Sequence, residues 1–370
     1  MHFSAVKENL TDALQIVQRA LSAKNTMAVL SGIHLVCADG QLTMTASDLE
    51  VRLEVTLPVE VIEPGETIVQ GRGFTDLVRR LPAGRIVFKN TSQDGSDHMT
   101  ISYGDNTADL YGWPGREYPG FAPEKDPAEL TMAAKDFCEA VSHTAFTVNA
   151  DEVRPVFTGL LFQIRGHELT IVGTDSFRLA KKITVLNNKS GDNFDLIIPV
   201  RALNEWARIV AAEEDPFEME ISDRQVLFKT ANVRLLAQRI RGDFPPFDKV
   251  IPSGWQTYVK LERKPLLEAL DRASLFSREK DGTLVVTFHI ENNLLHIATA
   301  SDFGKADENL PVYQEGETVD ISFNARYLSE ALKAMEDSHL DLTFNGSMGP
   351  CVVKPQAADK YLYLLLPLRR

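Results

Sequence analysis

The sequence predicts an α+β chain built from three tandem copies of one domain, each with antiparallel strands and two helices. Three observations predict it: a helical start that recurs three times, a small–hydroxyl–acid triplet that recurs at fixed spacing, and a second helical start that places an arginine ahead of a large apolar residue. Self-similarity at a fixed period is the mark of repeated architecture and is tested first.

The first landmark is Lys7-Glu8-Asn9-Leu10-Thr11-Asp12-Ala13-Leu14, matched by Ala134-Lys135-Asp136-Phe137-Cys138-Glu139-Ala140-Val141 and by Arg263-Lys264-Pro265-Leu266-Leu267-Glu268-Ala269-Leu270. Each has an apolar residue, an acid two later, then Ala and another apolar residue, so the apolar pair shares one helix face. Phe3, Val6, Leu10, Leu14, Val17 and Leu21 extend that stripe, and Pro265 suits a helix's first turn. The second landmark is Ala46-Ser47-Asp48, Gly173-Thr174-Asp175 and Ala300-Ser301-Asp302, whose aspartates stand 127 residues apart. Leu10 and Phe137 keep the same spacing; Leu295 stands one residue farther from its aspartate than Leu42 and Leu169 do, which predicts a one-residue slip in the third copy. The third landmark is Arg72, Arg201 and Arg326, each two residues before Phe74, Leu203 or Leu328. Tyr118-Pro119-Gly120-Phe121 and Phe244-Pro245-Pro246-Phe247 close two copies, while the third ends at Leu366-Pro367-Leu368-Arg369-Arg370.

Linkers rich in Pro, Gly and charge are expected at 122–127 and 251–254. The copies then span 1–122, 128–251 and 254–370. Ser31–Ala38, Gln41–Thr45, Val51–Val61, Thr67–Val69, Arg85–Asn90 and Met99–Tyr103 read as strands, with a hairpin turn at Asp39-Gly40. Helix, strands, helix, strands is an α+β order.

The chain has 370 residues, 44% hydrophobic and 25% charged, ordinary values for a globular protein with filled cores. Its longest apolar run, Tyr361–Leu366, falls far short of the about 20 residues a membrane span needs. Charged residues among the first apolar ones read as a helix rather than a secretion signal. The three cysteines are too scattered for a disulfide framework or a zinc site and suit a reducing cytoplasm. No phosphate loop is present, since Gly71-Arg72-Gly73 lacks a third glycine. Neither metal nor cofactor is expected: the nearest histidine pair, His289 and His296, reads as lying on opposite faces of a strand, and Glu213-Glu214-Asp215 as a solvated loop. An enzymatic alternative is a β-rich hydrolase using Asp175, Ser176 and a distant histidine, but no nucleophile elbow surrounds Ser176. The net charge of −13 argues against ordinary DNA binding by phosphate neutralisation.

Together the triplication, Gly173-Thr174-Asp175-Ser176-Phe177-Arg178-Leu179-Ala180, the two Pro-containing closures and the tail resemble the bacterial beta sliding clamps, the processivity subunits of DNA polymerase III. The resemblance covers essentially the whole chain and departs at Ser176-Phe177, where the family commonly has Gly-His. It implies three tandem DNA-clamp domains in a head-to-tail homodimer, a six-domain ring with sheets outside and two helices per domain facing the lumen. Such a ring has no catalytic site or cofactor of its own. It encircles double-stranded DNA without reading sequence, and it tethers the replicative polymerase, the clamp loader and repair proteins through short linear motifs. An acidic exterior is then no objection: topology holds the DNA, and tight phosphate contacts would stop sliding.

The resemblance implies three sets of residues. Lys24, Arg72, Arg201 and Arg326 would meet DNA. A partner-peptide pocket would take Phe157, Thr174, Ser176, Phe177, Arg178 and Leu179 from copy two, with Pro245, Lys249 and Val250 from its closure. Copy three would add Asn324, Tyr327, Met348 and Pro350, and the tail would add Leu364, Leu365, Leu366, Pro367, Leu368, Arg369 and Arg370. A terminus apolar almost to its last residue is expected to be docked. The dimer contact would take Leu110, Leu275 and Phe276.

Overall fold

The computed structural model describes residues 1–21, 27–93, 96–120, 126–149, 153–276, 283–302, 304–356 and 360–368. Six helices recur in pairs: α1 (Lys7–Val17), α2 (Gly71–Arg80), α3 (Ala134–Thr144), α4 (Val200–Val210), α5 (Arg263–Ser274) and α6 (Ala325–Ala334). Each repeated helical start forms a helix, but the first is shorter than its stripe. Phe3 and Val6 lie in the strand His2–Val6, and Leu21 lies past the helix end. That strand pairs with Arg85–Gln93, and Phe3 is fully buried there, stacked 4.8 Å from Phe88. Apolar spacing alone cannot separate a strand that runs straight into a helix.

The chain divides into two compact units. One comprises Met1–Ala134 and Glu205–Arg239, the other Lys135–Asn204 and Ile240–Arg370. The second copy is therefore shared between them, and the reason is strand pairing.

The first unit holds one 13-stranded sheet. It runs from Ala128–Met132 through Phe217–Ile221, Gln225–Lys229 and Val233–Gln238 of copy two. It continues through Val51–Pro58, Gln41–Ser47, Gly32–Ala38, Gly65–Gln70, Asn106–Pro114, Ser96–Tyr103 and Arg85–Gln93 to His2–Val6 and Glu60–Glu63. The copies meet where Val51–Pro58 pairs antiparallel with Val233–Gln238, Val51 opposite Ala237 and Val55 opposite Val233. Leu10, Leu14 and Val17 of α1 and Phe74 and Val78 of α2 are buried beneath it. The copy-two strands bury Trp206 of α4 against Phe217 and Phe228, with ring centroids 5.6 and 5.7 Å away.

The second unit repeats that junction. Its nine-stranded sheet joins Arg178–Val185 of copy two to Tyr361–Leu365 of copy three, Arg178 opposite Leu365 and Lys182 opposite Tyr361. A separate four-stranded sheet, ordered Gly304–Pro311, Leu294–Ser301, Val285–Glu291 and Val319–Asn324, packs with α5 and α6 around Phe288, Phe323, Leu266 and Leu332.

Local geometry agrees with the turn chemistry and corrects two strand assignments. Asp39 and Gly40 both have positive φ, 51° and 76°, as a two-residue hairpin turn requires. The corresponding third-copy turn is Asn292-Asn293, also at positive φ, and the strand after it, Leu294–Ser301, is one residue longer than Gln41–Ser47, which accounts for the slip. The stretch expected as one strand over Val51–Val61 breaks after Pro58, because Val59 donates its backbone N–H to Gly40 and Glu60–Glu63 turns to pair with His2–Val6. His289 and His296 are not on opposite faces. They belong to two strands of one hairpin and are opposite each other in register, so both side chains stand on the same face. Each has its own carboxylate, Asp320 at 2.8 Å and Asp307 at 3.1 Å. No group of three potential metal ligands forms among the described residues.

Candidate functional site: a groove beside the second triplet

Glu168–Thr174 ends at the triplet, and the next residues form a tight turn. Asp175 Oδ1 accepts from the backbone N–H of Phe177 (2.9 Å) and of Arg178 (3.0 Å). Thr174 Oγ1 accepts from Ser176 N and donates to Arg178 O. Aspartate and threonine side chains that substitute for backbone partners in this way fix a turn locally. Ser176 sits at φ 77°, the left-handed region that suits the glycine common in clamps at this place.

Arg178 is nearly buried. Its Nε donates to Asp175 Oδ2 at 3.0 Å, its Nη1 to Glu330 of α6 and its Nη2 to the Phe146 carbonyl at 2.6 Å. The guanidinium carbon lies 4.1 Å from the Tyr327 ring centroid. Burial alone would lower the Arg178 pKa; the hydrogen bond to Glu330 and the neighbouring Tyr363, Asp175 and Glu330 outweigh it, so the pKa is raised. On Glu330 burial raises the pKa and the hydrogen bonds from Arg178 and Arg326 lower it, with a net lowering. A buried cation with each of its three nitrogens hydrogen-bonded holds the turn against α6. Asp175 is thus committed to the turn and to Arg178, with both carboxylate oxygens hydrogen-bonded.

Beside this turn lies a groove of about 350 Å³, lined mostly by apolar atoms. It is lined by Phe157 and Thr174, by Ser176 through Leu179, by Pro245, Pro246, Phe247, Lys249 and Val250, and by Leu364 and Leu366 of the tail. Beneath it Leu161, Val172, Leu179, Ile197, Phe247, Val352 and Leu364 form one apolar cluster. Leu366 is tied in by its N–H to the Phe177 carbonyl (2.9 Å), and Leu368 by its N–H to the Ser322 carbonyl (2.8 Å). The tail is docked through Leu368, as its apolar composition predicts. Phe177, 61% exposed, and Val250, 51% exposed, offer large apolar surface at the rim.

Several expected pocket residues lie elsewhere. Leu365 is buried in the core around α5 and α6, because alternate residues of Tyr361–Leu365 face opposite sides and Leu364 takes the groove side. Asn324 is the N-cap of α6, its Oδ1 accepting from Arg326 N at 3.1 Å. Tyr327 lies under the Arg178 guanidinium and is not among the groove's lining residues. Met348, Pro350, Pro367 and Leu368 are not among the lining residues either, and Met348 is 64% exposed in the segment after His339–Phe344. Arg369 and Arg370 lie outside the described residues. Pro246 and Phe247 line the groove without having been assigned to it; their signal was the Pro-containing closure itself.

Of the candidate DNA contacts, Lys24 lies outside the described residues. Arg72, Arg201 and Arg326 are exposed in the first turns of α2, α4 and α6. Arg326 also pairs with Glu330 at 3.0 Å. Leu275 is 71% exposed at the end of α5, and Phe276 packs over Gly304 at the start of Gly304–Pro311. Leu110 is half-buried in Asn106–Pro114.

Family models for the N-terminal, central and C-terminal domains of the DNA polymerase III beta subunit match residues 1–122, 131–246 and 248–369 in turn. The chain belongs to the DNA polymerase III beta subunit family. It is a sliding clamp, of a class of processivity factors rather than enzymes. It is 28% identical to the beta sliding clamp of Staphylococcus epidermidis, covering 100% of this chain and 99% of that one. The clamp from Staphylococcus aureus is 29% identical over the same shares. Among solved structures, the DNA polymerase sliding clamp of Bacillus subtilis superimposes with a TM-score of 0.96 at 28% identity, covering 100% of this chain and 99% of that one. The DNA polymerase III beta subunit of Pseudomonas aeruginosa gives 0.93 at 25%, with both chains covered in full. No helix among the described residues of this clamp is long and apolar enough to cross a membrane.

Proposed function

We propose that two copies of this clamp close head to tail into a ring around double-stranded DNA, in the cytoplasm, and tether the replicative polymerase, clamp loader and repair proteins by peptide segments laid in the copy-two groove. The observation that carries the ring is the repeated junction. Val51–Pro58 of copy one takes a strand from copy two, and Arg178–Val185 of copy two takes one from copy three. The corresponding third-copy strand, Gly304–Pro311, ends its sheet with no further neighbour among the described residues. In copy one, the stretch 106–111 of Asn106–Pro114 pairs on one side only among the described residues. One unfilled edge at each end of the repeat is what a closing head-to-tail contact needs, and exposed strand edges are otherwise a liability. Leu110 lies on one edge and Phe276 beside the other, with Leu275 exposed next to it, which supports these three as the dimer contact. The domains of such a ring would span 1–122, 128–251 and 254–370.

Arg72, Arg201 and Arg326, with Lys24, would supply the few lumen cations; a ring needs no more. A dimer by gel filtration that stays on circular DNA after loading and leaves linear DNA is the expected result. Leu275→Ala with Phe276→Ala should yield monomers, and a dimer that persists at micromolar concentration rejects the assignment. For the groove, deleting 366–370 should leave the dimer intact and weaken a short Gln-and-Leu-rich peptide at least tenfold, about 1.4 kcal/mol. Undiminished binding by a dimeric deletion variant places the peptide site elsewhere.

A further inference from the structure

A second cavity, of about 280 Å³, lies on the same sheet face as the peptide groove and is lined by Lys181, Lys354 and Lys360 together with Asp248 and Ile251. The sheet sets its place. Leu179 is paired with Leu364, and two residues along the same strands Lys181 is paired with Leu362. Residues two apart on a strand share a face and stand roughly 7 Å apart, so the lysine row begins one step beyond the groove floor. Lys354 stands two residues from Val352 of the groove cluster, on the same face. The short helix Phe247–Val250 lies between: Phe247, Lys249 and Val250 border the groove, while Asp248 borders the second cavity.

The charges are unequal. Lys181 lies over the Phe247 ring, 5.1 Å from its centroid, and pairs with Asp248 at 3.2 Å. Neither Lys354 nor Lys360 makes an ion pair among the described residues. Three lysines and one aspartate line the cavity, an excess of positive charge on a chain whose net charge is −13. A cation cluster against an apolar floor favours a carboxylate carried on a short aliphatic stem.

We propose that this cavity is an anion subsite, which takes Asp or Glu side chains flanking the apolar motif of a partner peptide seated in the groove. The proposal rests on the peptide reading of the groove. It adds that partners are graded by the acidity of the segment entering or leaving it. Continuity with the groove and the charge imbalance select this occupant. Two partly exposed ion pairs are worth roughly fivefold in affinity together.

The test uses the full chain and labelled peptides sharing one Gln-and-Leu-rich motif, with three Glu or three Gln residues added at either end. At low salt the parent should bind one Glu-flanked peptide about fivefold more tightly than its Gln twin, and the preference should vanish near 1 M salt, where the Debye length is about 3 Å. The double variant Lys354→Gln/Lys360→Gln should lose the preference yet bind the Gln-flanked peptide like the parent. A parent without preference, or a preference that survives in the variant, overturns the subsite. Independently of the motif, free hexaglutamate at low salt should protect Lys354 and Lys360 from acetylation, read by mass spectrometry. If no peptide binds but hexaglutamate protects, the groove reading fails and the subsite stands. Absence of protection, or stronger protection by a DNA duplex, overturns the subsite.

Discussion

Ser47-Asp48-Leu49-Glu50-Val51 and Thr174-Asp175-Ser176-Phe177-Arg178 fold alike. Asp48 Oδ1 accepts from Glu50 N and Val51 N as Asp175 Oδ1 does from Phe177 N and Arg178 N. Ser47 Oγ accepts from Leu49 N and donates to Val51 O, as Thr174 Oγ1 does for Ser176 and Arg178. Leu49 stands at φ 78° and Ser176 at 77°. Even the incoming strand is held alike, Gln238 N donating to the Glu50 carbonyl and Leu366 N to that of Phe177. What differs is the side chains. Where copy two has Leu179, copy one has Arg52, which donates to the Pro119 carbonyl at 3.3 Å and lies 6.0 Å from the Tyr118 ring centroid. Where copy two has Leu161, copy one has His34, stacked 5.0 Å from Tyr118. Short aliphatic residues leave room above the sheet; a guanidinium and two stacked rings fill it. The turn therefore belongs to the fold, and the groove belongs to the side chains that decorate one copy of it.

The largest difference between the turns lies at Arg178 and its counterpart Val51. Arg178→Met removes the partner of Asp175 Oδ2, while Glu330 keeps Arg326, and breaking a buried charge network of this kind costs about 3 kcal/mol. Val51→Ala removes two buried methyl-sized groups, at about 0.8 kcal/mol each. Urea unfolding of both variants checks the contrast; equal losses would mean that the Arg178 network contributes nothing beyond packing.

The rim gives a smaller effect, read in binding rather than stability. Phe177→Ala should leave unfolding within about 0.5 kcal/mol of the parent, since the ring is largely exposed. It should weaken the motif peptide about tenfold, as loss of an aromatic contact at a binding site does. Glu50→Ala, the same turn position in copy one, should change neither. Tighter binding by Phe177→Ala would mean that the ring occupies the groove rather than walls it.

The repeat was legible in the sequence because hydrogen-bonding triplets and helix starts are local and recur in register. The groove was legible only where local signals reach it. Thr174 to Leu179 and Pro245 came from the resemblance, which rests on the second triplet and the Pro-containing closure. Glu330, which anchors Arg178 from 152 residues away, left no local trace. Two placements apart from the groove lining could be read on local grounds. Strand alternation separates Leu364 from Leu365, and an Asn just before a helix is a cap before it is a ligand contact. Phe3 and Val6 show the opposite case, where a stripe of helical spacing runs through a strand.

The smallest expected effect concerns pH and the filled counterpart of the groove. Burial lowers the His34 pKa from its ordinary value, opposed by the hydrogen bond and charge of Glu66 and by the charge of Glu54, and reinforced by the charge of Arg52. The folded chain therefore binds fewer protons at His34 than the unfolded chain in the window below about pH 6.5. Stability from this group is full above that window and is lost as pH falls from 6.5 toward the lowered folded-state pKa. The slope cannot exceed about 1.4 kcal/mol per pH unit for one group. His143, buried against Tyr361 and likewise lowered by burial, contributes a loss of the same sign, so the parent's curve alone does not isolate His34. His34→Leu installs copy two's residue in copy one. It removes the titrating ring, while Glu66, half-exposed, stays solvated. The difference between parent and variant unfolding free energies should then fall as pH drops from 7 to 5.5, with the variant losing less. A difference that stays constant with pH would show that His34 titrates alike in both states, and that the stack on Tyr118 does not bury it in solution.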